Sequence, residues 1–383
     1  MNFSKSNIFS FLGGLSLLIL PVFFEDSFSQ SIPVALFYML LITFGMSILI
    51  YFLAKIIQLK PVYIFSIIVI IEVGIYASFF LVKNNWIVAP SIQKTHRNFY
   101  AGYLRNIPAF QDGLGRYDST LFYTLQPGQQ KNTNIEFSNT YSINSQGVRD
   151  DEVSLDFPEI IVLGDSHSMG WGVEQEEAFA DLLEKQSNQT VLNTGIVSYG
   201  SAREYLMFNQ LKTDSCRTLI WQYCSNDKTE NQSFIKNGNQ LKISSKQEYQ
   251  FSCYKNFIQK NYYPFKFIFE SIAHQFRRTR HRKNFKSDSI PMEEEVSNFF
   301  KIVMLLQQKF KGKIVIFNLE SYQTSDILIK EFEKYVTANN LRNIHIIDTS
   351  KILKEKDYFT IDGHINVSGH KKVSILLQNA IQK

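Results

Sequence analysis

Cysteine is scarce in this chain of 383 residues: Cys216, Cys224 and Cys253 are the only three. None are spaced C-x-x-C, which excludes a zinc ribbon or a thioredoxin-type redox motif. Cys216 and Cys224 flank one predicted strand; at about 3.3 Å per residue they lie too far apart to bridge each other. Excess charge is also lacking. Forty Lys and Arg against thirty-five Asp and Glu leave a net charge of +5, without the basic stripe of a nucleic-acid-binding domain, so nucleic acid is not an expected partner. The one dense basic stretch is Arg277, Arg278, Arg280, Arg282, Lys283 and Lys286. It reads as a solvated helix end or loop, with anionic headgroups or an acidic polymer as the alternative contact. There is no internal repeat and no long low-complexity tract.

What the chain has is uneven hydrophobicity. Apolar residues make up 45%, an ordinary share, but three long runs fall within the first eighty or so residues. They are Ile8–Phe24, Ile32–Ile57 and Val62–Val82. A helix needs about 20 apolar residues to cross a bilayer, and the second and third runs qualify easily. The first is shorter and contains Gly13 and Gly14. It lacks a small-x-small cleavage site, being followed by Glu25 and Asp26, which argues against a cleaved signal peptide. Residues 1–83 are therefore expected to be a membrane anchor of about three helices. Lys5, Lys55 and Lys60 against the acidic first loop put the N-terminus and second loop in the cytoplasm. Everything after Val82 then lies outside, although Lys83, Lys94 and Arg97 oppose this mildly. Glu72, the sole charge of the third run, should face another helix or a polar cavity.

Residues 84–157 read as a connecting region with short strands. Turn signals occur at Pro127-Gly128 and Ser145-Gln146-Gly147, and Asn134–Ile143 alternates as a strand or hairpin would. From residue 158 a strand–helix rhythm begins. Ile160–Leu163, Thr190–Asn193, Thr218–Tyr223, Lys313–Asn318 and Ile344–Ile347 read as strands. Glu176–Gln186, Ala202–Leu211, Glu293–Phe310, Ile327–Val336 and Val367–Ile381 read as helices. Such alternation predicts a three-layer α/β/α domain with a parallel sheet over residues 158–383. Residues 228–291 break the rhythm as an insertion, with an amphipathic helix expected at Pro264–Phe276.

In such sheets the ligand site lies beyond the carboxyl ends of the strands. The polar residues placed there are Gly164-Asp165-Ser166-His167-Ser168, Asn193 to Gly200, Ser225-Asn226-Asp227 and Asp362-Gly363-His364. These are the parts of an acyl-transfer centre. A serine needs a histidine to take its proton, and a carboxylate to hold that histidine in the right tautomer. Ser166, His364 and Asp362 are the catalytic candidates. Backbone N–H groups of Ser166 and of the second turn, with the Asn226 side chain, are the candidate oxyanion donors. His370 is expected to pack or cap the last helix. His167 is expected to lie at the acyl pocket or the surface. Asp165 is expected to fix its turn by bonding backbone N–H groups. Asp165 and His167 lack a third ligand, so no metal is expected.

Together these segments resemble the SGNH (GDSL-like) hydrolase superfamily. The similar segments are Ile160 to Val173 (IIVLGDSHSMGWGV), Asn193 to Gly200 (NTGIVSYG), Ser225-Asn226-Asp227, and Asp362 to His370 (DGHINVSGH). Asn144 to Arg149 (NSQGVR) resembles a lead-in of membrane-anchored bacterial members. The resemblance runs from about residue 115 to the end, the insertion apart. It implies a flavodoxin-like fold, Ser166 as nucleophile, His364 and Asp362 as base and orienter, and Asn226 as an oxyanion donor. The family's second-block glycine falls on Ser198, with Gly200 or Gly195 as substitutes, and Cys224 replaces a glycine two residues before Asn226. The resemblance implies no cofactor. The function expected is a membrane-anchored esterase or O-acyl (acetyl) transferase acting on extracytoplasmic glycans, a transferase drawing its acyl donor from a membrane partner. The alternatives are a lipase or lysophospholipase acting on lipid esters, and a non-catalytic glycan-binding subunit of polysaccharide export.

Overall fold

The computed structural model describes residues 5–24, 27, 31–284 and 290–382. Glu25 and Asp26 of the first loop, and Lys286 of the basic stretch, lie outside them. The chain forms two compact units: Met1–Asn106 with Gln247–Asp288, and Ile107–Lys246 with Ser289–Lys383.

The chain opens with four helices of the first unit, α1 (Lys5–Phe23), α2 (Ile32–Ile56), α3 (Pro61–Lys83) and α4 (Pro90–Tyr103). Ser31 caps α2, its hydroxyl accepting the Val34 N–H at 3.4 Å. At 1.5 Å per residue α2 and α3 are each more than 30 Å long by rough count. Among the described residues these two are long and apolar enough to cross a membrane; the apolar part of α1, Phe9–Phe23, is shorter. Small residues let α1 and α2 approach closely: a Cβ built on Gly45 would meet the Gly14 carbonyl at 3.1 Å. Helix α4 stands where no helix was expected. Its polar sequence hides the pattern, yet His96 and Phe99 pack on Phe79 of α3.

In the second unit, two hairpins precede the main sheet: β1 (Gly115–Asp118) with β2 (Phe122–Leu125), and β3 (Gly128–Thr133) with β4 (Ser138–Ile143). The second hairpin starts at Gly128, earlier than the Asn134–Ile143 alternation suggests, because the turn falls at residues 134–137. Then come β5 (Ile160–Leu163), α5 (Ser166–Met169), α6 (Phe179–Ser187), β6 (Val191–Asn193), α7 (Ser201–Phe208), β7 (Thr218–Tyr223) and α8 (Lys228–Lys236). Helices α9 (Lys246–Lys260) and α10 (Lys266–Asn284) follow, then α11 (Met292–Gln307), β8 (Lys313–Asn318), α12 (Ile327–Ala338), β9 (Ile344–Ile347) and α13 (Val367–Ile381).

The five strands form one parallel sheet in the order β6-β5-β7-β8-β9. Both faces are covered, as continuous branched runs such as Ile160–Leu163 require. On one face Ile160, Val162, Ile220, Val315 and Phe317 pack with Phe179 and Leu183 of α6 and Val373 and Leu377 of α13. On the other, Trp221 and Tyr223 meet Phe299 of α11, and Tyr223 meets Phe332 of α12. Strand order reverses at β5, which puts the topological switch point, where open α/β sheets take their ligands, at the carboxyl ends of β5 and β7.

The insertion is not one body. Helix α8 packs on α7 and α11 in the second unit, whereas Gln247–Asp288 belongs with the N-terminal helices. The first turn of α10 supplies the partner Glu72 needs. Glu72 accepts N–H groups of Ile268 at 2.8 Å and Phe267 at 3.4 Å, and the Tyr262 hydroxyl at 3.4 Å. One turn on, Glu270 accepts the Tyr263 and Tyr38 hydroxyls at 2.6 and 3.2 Å and pairs with Arg277 at 2.7 Å. A periodic reading sees α10 as amphipathic; these carboxylate contacts between distant segments are invisible to it.

Candidate active site

The chain leaves β5 at Leu163 and turns at once into α5. Asp165 caps that helix, accepting the His167 N–H at 2.9 Å, and its own N–H goes to Gln222 at 3.1 Å. Burial pushes the Asp165 carboxyl up. Ser166 is the first residue of α5, where helix geometry leaves N–H groups without an intrahelical partner. The loop after β6 presses on this helix. A Cβ on Gly195 would lie 2.4 Å from the Met169 nitrogen, so only glycine fits. Asn193 locks the contact, donating from Nδ2 to the Ser168 carbonyl at 2.8 Å while its Oδ1 accepts the Gly195 N–H at 3.0 Å.

His364 arrives from the loop before α13. Gly363 takes a left-handed φ of 87°, and Tyr322 covers its missing side chain. This turn lets Asp362, two residues back, reach Nδ1 of His364 with Oδ1. The other ring nitrogen, Nε2, lies 2.7 Å from the Ser166 hydroxyl. All three side chains are buried, with Ser166 the most open at 7% exposure. The sequence places Ser166 198 positions from His364, and the structure brings both, with Asp362, into one hydrogen-bonded line.

Residues between Asn144 and Asp150 brace this line. Arg149 is fully buried and donates to the carbonyls of Met169 at 3.2 Å, Gly170 at 2.5 Å and Val173 at 2.8 Å. Its guanidinium lies 4.0 Å from the centroid of the Tyr141 ring. The cation thus satisfies the carbonyls that follow α5. Asp150 accepts the Asn193 N–H at 2.6 Å, which fixes the second loop. Burial holds the Asp150 carboxyl well above the usual carboxylate range.

The expected oxyanion donors divide. Ser198 adopts φ 59°, the left-handed region a glycine would favour, and is exposed at the end of the β6 loop. Gly200 does not serve: its N–H goes to Glu230 at 3.1 Å. Gly195 is likewise taken, by Asn193. Asn226 follows β7 on a short 3₁₀ turn, exposed, with its side chain toward Asp165. Glu320 holds that turn, accepting the Ser225 N–H and hydroxyl at 2.8 Å each. Cys224 is buried and turns its sulfur to Glu320 at 3.5 Å. Ser166, Ser198 and Asn226 thus follow three adjacent strands, β5, β6 and β7.

His370 lies on α13, where its Nδ1 accepts the Phe179 N–H at 3.1 Å and its ring stacks on Phe179. It therefore caps α6 rather than its own helix. Burial, with Arg149 and His364 adding to it, pushes its pKa down to about 3. His167 is buried, its ring centroid 4.7 Å from that of His364. Sequence reasoning missed Trp171, stacked on His364, and Glu136, which accepts the N–H groups of Ile361 and Asp362 at 3.0 and 2.6 Å. Trp171 lies inside the first resembling segment; Glu136 carried no signal, being one acid in a polar hairpin turn. Among the described residues no group of three His, Cys, Asp or Glu could hold a metal ion.

Among solved structures the chain is similar to a protein described as lipolytic, of the G-D-S-L family, from Desulfitobacterium hafniense. The identity is 14% and the TM-score 0.35, over 57% of this chain and 97% of that one. It is also similar to a family two carbohydrate esterase from Clostridium thermocellum (8%, TM-score 0.36, 60% of this chain and 64% of that one). A third is an acetyl xylan esterase from Butyrivibrio proteoclasticus (12%, TM-score 0.35, 59% and 63%). This chain thus spans somewhat less than two thirds of the two carbohydrate esterases. No protein-family model and no curated protein matches it. Likeness this distant transfers no function, and the chemistry has to be read from the chain's own side chains.

Proposed function

We propose that the second unit is a serine hydrolase or acyltransferase acting on esters. The observation that carries this reading is the line from Ser166 through His364 to Asp362, with 2.7 Å between the hydroxyl and Nε2. Ser166 Oγ attacks the ester carbonyl carbon as its proton passes to Nε2 of His364. Asp362 keeps Nδ1 protonated and stabilises the imidazolium. The tetrahedral oxyanion takes hydrogen bonds from Ser166 N–H, Ser198 N–H and Asn226 Nδ2, each worth about 2.7–4 kcal/mol in k_cat terms. As it collapses, the alcohol leaves with the proton held on Nε2, and the acyl group stays on Ser166. Water, or an acceptor hydroxyl, then gives its proton to Nε2 and attacks the acyl carbon; as this second tetrahedral intermediate collapses, the bond to Ser166 Oγ breaks and the proton on Nε2 returns to Oγ. The product is a free acid or a new ester.

The substrate class proposed is an acylated glycan outside the cytoplasm, with α2 and α3 anchoring the protein in a membrane. The apolar length of those helices supports the anchor. The same anchor favours a second reading, a lipid ester taken from the adjoining bilayer. For transfer, a membrane partner would supply the acyl donor.

A serine-directed fluorophosphonate probe tests the chemistry on the full-length protein. Labelling that disappears in Ser166→Ala is expected; an unlabelled, folded wild type would reject it in favour of a non-catalytic binding subunit. Acetyl esters of sugars and longer-chain lipid esters then separate the two substrate readings. Protease added to intact cells or spheroplasts is expected to degrade the second unit, and protection until lysis would overturn the outward orientation.

A further inference from the structure

The β3–β4 hairpin lies outside the parallel sheet, and nothing in the proposed reaction yet uses it. Its turn, however, touches both catalytic loops. The loop carrying Asp362 and His364 is closed by its own bonds, from Phe359 N–H to the His364 carbonyl at 2.8 Å and from Gly363 N–H to the Phe359 carbonyl at 3.1 Å. Those bonds leave the N–H groups of Ile361 and Asp362 pointing out of the loop. One oxygen, Oε2 of Glu136, accepts both, at 3.0 and 2.6 Å. Beside it Phe137 packs its ring 5.3 Å from Phe359 and edge-on to Trp171 at 6.1 Å. A Cβ built on Gly172 would lie 2.7 Å from Phe359 and 2.9 Å from Phe137. The hairpin turn therefore sits against the His364 loop on one side and the segment after α5 on the other.

We propose that this turn positions the Asp362–His364 pair against Ser166, with Glu136 as a positioning residue for the reaction. The idea rests on the serine-hydrolase reading above. Holding the Asp362 N–H fixes where that residue's carboxylate leaves the backbone, and through it the plane of the His364 ring. Displacement of about 1 Å in a catalytic group can cost roughly 10²-fold in rate. A residue that only packed the hairpin would need no acceptor aimed at these two donors. Burial pushes Glu136 up to about 7, against the pull of the N–H bonds, and the charge of Asp362 adds to the rise.

The test uses the full-length protein in detergent, with p-nitrophenyl acetate turnover and the rate of fluorophosphonate labelling as readouts. Glu136→Ala is expected to lower k_cat and labelling about tenfold or more with K_M little changed. The carboxylate also takes the Thr360 N–H, but because a single oxygen accepts the Ile361 and Asp362 N–H groups, Glu136→Gln keeps the acceptor for those two and is expected to restore a large part of both rates. Glu136→Ala with wild-type k_cat, whatever its T_m, rejects the proposal, and so does equal loss in the Gln and Ala variants. If Glu136→Ala does not fold, Glu136→Asp replaces it. Its carboxylate is one methylene short of the two donors, and undiminished k_cat again rejects the role. Ser166→Ala runs alongside. Wild-type turnover and labelling that do not depend on Ser166 reject the hydrolase reading itself. Ser166-dependent turnover that Glu136→Ala leaves intact rejects only the role of the hairpin.

Discussion

Trp171 lies face-on to His364, with ring centroids 5.0 Å apart and planes 21° from parallel. The indole face carries negative charge density and attracts a cation. In the proposed reaction the imidazole becomes an imidazolium only once Ser166 has lost its proton, so this stacking favours the transition state over the resting state. Trp171→Leu is expected to lower k_cat roughly 3- to 30-fold with little change in K_M, and Trp171→Phe to lose less. A change confined to K_M would contradict the role.

The donors offer a second separation. Asn226→Ala is expected to reduce k_cat by about 10²–10³-fold while substrate binding holds, since the oxyanion exists only on the reaction path. Ser198 already occupies a left-handed conformation that costs an L-residue about 1–2 kcal/mol. Ser198→Gly should therefore keep activity and leave stability equal or higher. Ser198→Val, branched where φ is positive, should shift the N–H and slow turnover. Steady-state kinetics and thermal melts of the three variants check this.

His370 gives a pH signature of stability. Its folded pKa of about 3 lies below the ordinary value of 6.5. The unfolded chain therefore takes up a proton first as pH falls. The contribution is complete above about pH 6.5 and is lost as pH drops toward 3, at up to about 1.4 kcal/mol per pH unit. His370→Asn keeps an acceptor for the Phe179 N–H without titrating. Its stability, measured by denaturant unfolding, should decline less than that of the wild type over this window. Parallel pH curves for the two proteins would refute the assignment.

Arg149 should prove a structural linchpin of the segment that follows Ser166. Arg149→Lys replaces a fork that serves three carbonyls with a point charge that cannot span them. A stability loss of at least about 2 kcal/mol is expected, read from denaturant midpoints. An unchanged midpoint would show that those carbonyls are satisfied in another way.

The parallel sheet was legible because its inner strands are short, apolar and almost wholly buried, so Ile160–Leu163 and Lys313–Asn318 stand out from the polar segments around them. That Ser166, Asp362 and His364 would meet was legible because the polar residues after β5 and those just before the last helix fall at the same edge of such a sheet. Three features were not. Helix α4 is polar, and its packing on Phe79 is a tertiary contact with no sequence period. Gly200 occupies a fitting position, but its N–H is taken by Glu230, thirty residues on. The division of residues 228–291 follows from Glu72 and Glu270, which select partners far away in sequence.

The path of the chain has a consequence for any separation of the second unit from the N-terminal helices. Because Gln247–Asp288 belongs with the N-terminal helices, the second unit is joined to them by three covalent links, at residues 106–107, 246–247 and 288–289. One proteolytic nick cannot shed it, for the remaining links still hold. Even cutting all three leaves the second unit in two pieces, 107–246 and 289–383, held together without a covalent bond by the pairing of β7 with β8, by the helices packed on that sheet and by hydrogen bonds such as those of Glu136 with Ile361 and Asp362. A soluble fragment made by deleting the N-terminal helices alone would retain α9 and α10 with Tyr263, Phe265 and Phe269 stripped of their neighbours on α2 and α3. Such a fragment is expected to aggregate unless residues 247–288 are excised with them and replaced by a linker.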